Sequence, residues 1–274
     1  MSVDDRHNIK SAGAVTCDYR LMFAFRVRCK VIVLRVEIKE TESVKLKTPI
    51  IIEGFPGIGM VGTICASYLA DKLQMKLIGY LASSHFPPIS AIHDYKPVSP
   101  ARIYASEKHD LVVLFSEFVI PADIVFVLSQ EIIAWAKKKK AKAIYSLAAI
   151  ATQEPKETIH GIASTPEIAE LLKKHGVELI REGATQGVSG VLIAECAAQK
   201  MPAANIMVQT ANPLDPAASA RLLDKLSEII GVPIETKELV KEGETVEARM
   251  REAMEKMKAL HSDYKAREEN PMYA

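Results

Sequence analysis

The residues best suited to chemistry lie in Glu53-Gly54-Phe55-Pro56-Gly57-Ile58-Gly59-Met60-Val61-Gly62, where Gly57, Gly59 and Gly62 spell G-x-G-x-x-G. Glycines at that spacing let backbone N–H groups approach a phosphate, and a helix starting there adds partial positive charge. The context suits a dinucleotide fingerprint: the apolar run Ile50 to Ile52 precedes the turn, and an apolar segment of helical length follows it to Leu73. The part that reads the ribose is missing. The next strand, 76–81, runs into Ala82, Ser83, Ser84 and His85 with no acidic residue, and the Lys-Ser/Thr ending of a P-loop is absent. The same glycines also have a mechanical use, in a tight turn and close helix–strand packing.

Acid–base chemistry needs several groups brought together. His85, His93 and Asp94 share one loop, Glu117 follows a strand and Glu195 falls in a helix. Converging at a sheet edge, such a set suits a phosphorylase or hydrolase whose glycine loop holds an anion. There is no G-x-S-x-G, H-E-x-x-H or paired-carboxylate spacing, so these side chains read as surface or capping groups. Ser189, in Gly187-Val188-Ser189-Gly190, resembles a nucleophile, but the expectation is a cap on the following helix. The ending Met272-Tyr273-Ala274 offers a different chemistry. A terminal carboxylate, an amphipathic aromatic and a pliable apolar residue make a compact anchor for a groove.

The rest of the chain must position these groups. Its 274 residues suffice for one large domain or two small ones, and 49% apolar with 25% charged residues is ordinary for a soluble globular protein. A net charge of +1 argues against nucleic acid as a partner. The one basic run, Lys137 to Lys140, reads as a solvated helix end. Cys17, Cys29, Cys65 and Cys196 are scattered, which argues against a metal or disulfide framework and fits a reducing compartment. No apolar run reaches membrane-spanning length, and Asp18 and Arg20 interrupt any signal-peptide core, so the expected location is cytoplasmic.

Residues 1–21 read as a disordered leader, with Met22 an alternative start. Residues 26–39 suit an edge or hairpin strand, and His85-Phe86-Pro87-Pro88 breaks the chain into a loop. Strands follow at 101–105, 111–115, 143–150, 177–180 and 205–209, with helices at 122–136, 165–175, from Val191 to about Gln199, and from Asp215-Pro216 to Ile230. The alternation predicts an α/β fold, a three-layer αβα sandwich over a mixed or parallel sheet, with the core at 22–236. From Val246 the apolar positions Met250, Met254, Met257, Leu260 and Tyr264 fall at steps of three and four, giving an amphipathic helical arm within 237–268, followed by a mobile tail at 269–274.

The glycine motif, with Gly54, Phe55, Pro56, Gly57, Gly59 and Gly62, the His85-Phe86-Pro87-Pro88 loop and the loop 183–190 with Gly187 and Gly190 closely resemble the proteasome assembly chaperone family in its archaeal branch. The resemblance covers about residues 44–233. It implies a three-layer α/β fold related to nucleoside phosphorylases, without enzymatic activity, cofactor or dependence on ATP. The ending Met272-Tyr273-Ala274 matches the hydrophobic–tyrosine–any-residue motif by which proteasome activators dock between α-subunits of the 20S core. By that resemblance the carboxylate of Ala274 meets a pocket lysine and Tyr273 sets the tail's position. A homo-oligomer, most plausibly a tetramer, displaying several tails is also implied. The alternative is a nucleoside-phosphorylase-like or nucleotide-binding enzyme using the 54–62 and 183–190 loops.

Overall fold

The computed structural model describes residues 34–241, together with 248, 251, 252, 255, 256 and 259. The leader at 1–21, most of the arm and the terminal tripeptide lie outside these described residues.

Within residues 34–241, eleven strands and six α-helices run in the order β1 (Glu37–Glu40), β2 (Ile50–Gly54), α1 (Val61–Lys72), β3 (Lys76–Ala82), β4 (Ala91–His93), β5 (Lys96–Val98), β6 (Ala101–Ser106), β7 (Leu111–Ser116), α2 (Val125–Lys138), β8 (Ala143–Ala151), β9 (His160–Ala163), α3 (Pro166–Lys174), β10 (Glu178–Leu179), α4 (Gly187–Ala198), β11 (Ala203–Thr210), α5 (Pro216–Ile230) and α6 (Lys237–Lys241). Nine strands make one mixed sheet in the order β1-β3-β6-β7-β2-β8-β11-β9-β10, and β4–β5 form a separate hairpin. In β2, Ile51 and Ile52 point to opposite faces and both are buried, which is why the run is continuously apolar. The Ile52 face is covered by α1, α3, α5 and α6, and the Ile51 face by α2 and α4. This is the expected three-layer α/β fold.

The βα start at β2–α1 is present, but its second strand is not adjacent. β3 runs parallel to β2 with β7 and β6 between them, and β6 is antiparallel to both of its neighbours. Local periodicity marks a strand but not its partner. The segment read only as a loop after His85 contains the β4–β5 hairpin, and β9 follows the polar loop at 152–158. α4 starts at Gly187, four residues before the expected Val191, and Gly187 itself has a positive φ of 73°, which favours glycine there. The caps at Thr165 and Asp215 form as expected, each accepting from an N–H three residues on. α2 ends at Lys138, so the lysine run does close a helix.

The packed body continues past the expected boundary at 236. Leu239 in α6 is 1% exposed, Lys72 on α1 pairs with Glu238, and the Tyr68 hydroxyl donates to Glu235 O at 2.7 Å. Beyond it, Ala248, Arg251, Glu252, Glu255, Lys256 and Ala259 are helical and exposed, and Lys256 pairs with Glu252 at i,i+4. No helix among the described residues is long and apolar enough to cross a membrane.

Candidate functional site

Two places bring together the residues singled out by type and spacing. The first is where the two glycine loops meet. A Cβ at Gly54 would stand 2.2 Å from Gly62 O and 2.6 Å from the Ala66 Cβ, and one at Gly62 would stand 2.4 Å from Leu147 O. Neither separation is tolerated, so these glycines press α1 onto β2 and β8. Gly59 adopts a φ of 65°, and its carbonyl accepts from Asp215 N at 3.0 Å, fastening the turn to the start of α5. Gly57 has no neighbour within 4 Å of its Cβ position. The motif thus spends Gly54 and Gly62 on packing.

Glu53, the penultimate residue of β2, is fully buried on the α4 side of the sheet. Its Oε1 accepts from Phe55 N at 2.9 Å, and its Oε2 accepts from Ser189 Oγ at 2.9 Å. Ser189 therefore joins one motif loop to the other and does not cap α4, whose cap position is Gln186. Gly190 leaves no room for a side chain because a Cβ there would meet the backbone carbon of Thr185 at 2.7 Å. Burial raises the Glu53 pKa above the usual carboxylate value, opposed by hydrogen bonds from Ser146, Phe55 and Ser189. On β11, across Ser146 of the intervening β8, Asn205 Nδ2 donates to Thr185 Oγ1 at 3.5 Å, while Asn205 Oδ1 has no partner. His85 lies apart, half-buried in its loop, with Ser84 Oγ 3.3 Å from its Nδ1.

The second place is a cleft of about 530 Å³ on the α1 side. One wall is a stripe of α1 and its ends, Met60, Thr63, Ser67, Ala70, Asp71 and Gln74, recurring at helical steps. The floor is Arg102 and Tyr104 of β6 with Phe115 of β7, and the β4–β5 hairpin adds His93 and Asp94. α1 packs over β2, β7 and β8, and the cleft opens beside it over β6 and β7. The Tyr104 and Phe115 rings stack at 5.8 Å, and the Arg102 guanidinium lies 5.1 Å from the Phe115 ring centre. Glu117 Oε1 accepts from Arg102 Nη2 and from His93 Nε2, the latter at 2.7 Å.

Of the acid–base candidates, the fold gathers His93, Asp94 and Glu117 here. Glu195 lies on α4, on the opposite face. Sequence reasoning missed Arg102. Its signal was present as a single charge inside an apolar strand, two positions from Tyr104 and so on the same face; the pairing in register with Phe115 belongs to the sheet. Among the described residues no group of three His, Cys, Asp or Glu side chains is placed to hold a metal.

Comparison with known proteins bears on the chain as a whole. Residues 51–254 match the PAC2 family. An uncharacterized protein of Methanocaldococcus jannaschii is 31% identical over 235 residues, 85% of this chain and 96% of that protein. The crystal structure of Pyrococcus furiosus PbaA, an archaeal homologue of proteasome-assembly chaperone, superposes with a TM-score of 0.73 at 29% identity, covering 83% of this chain and 99% of that one. Pyrococcus furiosus PbaB, an archaeal proteasome activator, shares the fold with a TM-score of 0.68 at 21% identity, over 79% and 98% of the two chains.

Proposed function

The chain belongs to the PAC2 family, and from that premise we propose that it is a proteasome-assembly chaperone homologue that docks on the 20S core through its last three residues. The observation that carries this reading is the coincidence of two features. A body 29% identical to PbaA ends in Met272-Tyr273-Ala274 after the charged stretch 265–270. Neither feature is specific alone, since the body names a family and the tripeptide names a docking chemistry.

In this reading the terminal carboxylate pairs with a lysine in a pocket between α-subunits. Tyr273 fills the groove while keeping its hydroxyl hydrogen-bonded, and Met272 adapts to the apolar wall. A single tail binds weakly. Several tails on a homo-oligomer, with a tetramer favoured, turn later contacts into intramolecular ones and raise avidity by about 10²–10⁴ where the arms span neighbouring pockets. The segment 246–264 supplies the arm and 269–274 the tail. The body is a cytoplasmic scaffold that performs no chemistry and takes no cofactor. At Gly59, the glycine of the motif at which a phosphate would approach the backbone, a Cβ would instead meet Thr210 Cγ2 at 2.9 Å, which supports this over a nucleotide site at the same turn.

The test is co-migration of purified 20S particles with intact protein and with protein lacking Met272 to Ala274. Intact protein is expected to co-migrate and the truncated protein to remain a folded oligomer that does not. Undiminished co-migration of the truncated protein rejects the anchor.

A further inference from the structure

The cleft over β6 and β7 holds a buried charge that the proposed docking through the tail does not use. Arg102 is 5% exposed, yet its Nε and Nη1 have no hydrogen-bond partner; only Nη2 is engaged, by Glu117. A buried guanidinium with two unused nitrogens is costly, and such groups are met by a ligand or water. Arg102 lines a cleft whose volume falls in the range of small-molecule sites, about 300–1,000 Å³.

Charge narrows the ligand class. Glu117 already neutralises Arg102, and Asp71 and Asp94 add two exposed carboxylates at the rim. A polyanion such as a nucleotide would meet that rim unfavourably. A ligand carrying one carboxylate and one ammonium group meets both needs, with acceptor oxygens for Arg102 and a cation for Asp71 and Asp94. Met60, Met75 and the stacked Tyr104 ring leave an apolar and aromatic wall for the part between. We propose that this cleft binds a zwitterionic amino acid or short peptide with an apolar side chain, its carboxylate toward Arg102 and its ammonium toward Asp94 and Asp71.

Isothermal titration of the full-length protein tests this with phenylalanine and the dipeptide Ala-Phe. N-acetylphenylalanine, phenylalanine amide, inorganic phosphate and AMP serve as comparisons. Both zwitterions are expected to bind saturably, and blocking either charged group is expected to weaken binding about tenfold or more. The double variant Arg102→Met/Glu117→Gln, which leaves no unpaired charge behind, is expected to lose binding. Asp94→Asn, on the exposed hairpin, is expected to weaken phenylalanine while leaving N-acetylphenylalanine unchanged, and it decides the matter if the double variant does not fold. No binding of either zwitterion, tighter binding of phosphate or AMP, or unaltered affinity in Asp94→Asn overturns the proposal. None of these outcomes bears on 20S co-migration.

Discussion

Gly54 and Gly57 stand three positions apart in one motif and face opposite demands. A methyl group at Gly54 must displace the backbone carbonyl of Gly62, whereas one at Gly57 meets open space. Gly54→Ala is therefore expected to destabilise the fold by about 3 kcal/mol or more in urea denaturation. Gly57→Ala is expected to stay within about 0.5 kcal/mol. A phosphate-cradling turn would instead leave stability largely unaffected and lose a ligand. Glu53 supplies a second residue-level prediction. Burial holds its pKa above the unfolded value, so the folded state binds more protons. Stability is then fully present below the unfolded carboxylate pKa and is lost as pH rises through the raised value. Glu53→Gln keeps partners for Phe55 N–H and Ser189 and removes that ionisation. Its Tm is expected to fall less than the wild-type Tm as pH is raised from acid to neutral; equal slopes in the two proteins would contradict this account.

Among the elements, α1 has two duties. Its first turn closes on β2 through Gly54 and Gly62, and the stripe from Met60 to Gln74 walls the cleft. α6 shows how an element can be misassigned from composition. Lys237-Glu238-Leu239-Val240-Lys241 reads as the start of a charged arm, yet Leu239 is inserted into the α1–α5 layer and Lys72 holds Glu238. Leu239→Ala is expected to cost about 2–5 kcal/mol in a denaturant melt, as for other buried leucines. A value near zero would place α6 in the arm after all. At the other edge, Trp135 Nε1 and Lys139 Nζ both donate to Glu40, each at 2.7 Å, pinning β1 to α2.

For the whole molecule, the proposed docking depends on how many tails one particle presents. A dissociated subunit and an intact oligomer carry the same tripeptide, so a difference in their 20S affinity measures avidity alone. Linking Met272 to Ala274 to an unrelated monomeric carrier is expected to give binding about 10²–10⁴ weaker than that of the proposed oligomer. Surface-plasmon resonance on immobilised 20S checks it, and equal affinities would remove multivalency from the mechanism. Tyr273→Ala is expected to weaken binding of the full-length protein strongly in the same measurement, because in the proposed docking the ring contributes both groove contact and a hydrogen bond.

Much of this protein was legible in its sequence because the signals are local. Period 2 against period 3.6, glycine between a strand and a helix, and Thr165 or Asp215 ahead of a proline each act over a few residues, and each specified its element. The family was legible for the same reason. What only the tertiary structure decided was adjacency. β3 is separated from β2 by β6 and β7, and the register of β6 against β7 lays Arg102 over Phe115. His93 then reaches Glu117 across a hairpin, and Ser189 reaches Glu53 from 136 positions away. Such meetings depend on long-range strand pairing and on which face each helix covers, and no window of sequence short enough to carry a period contains that information.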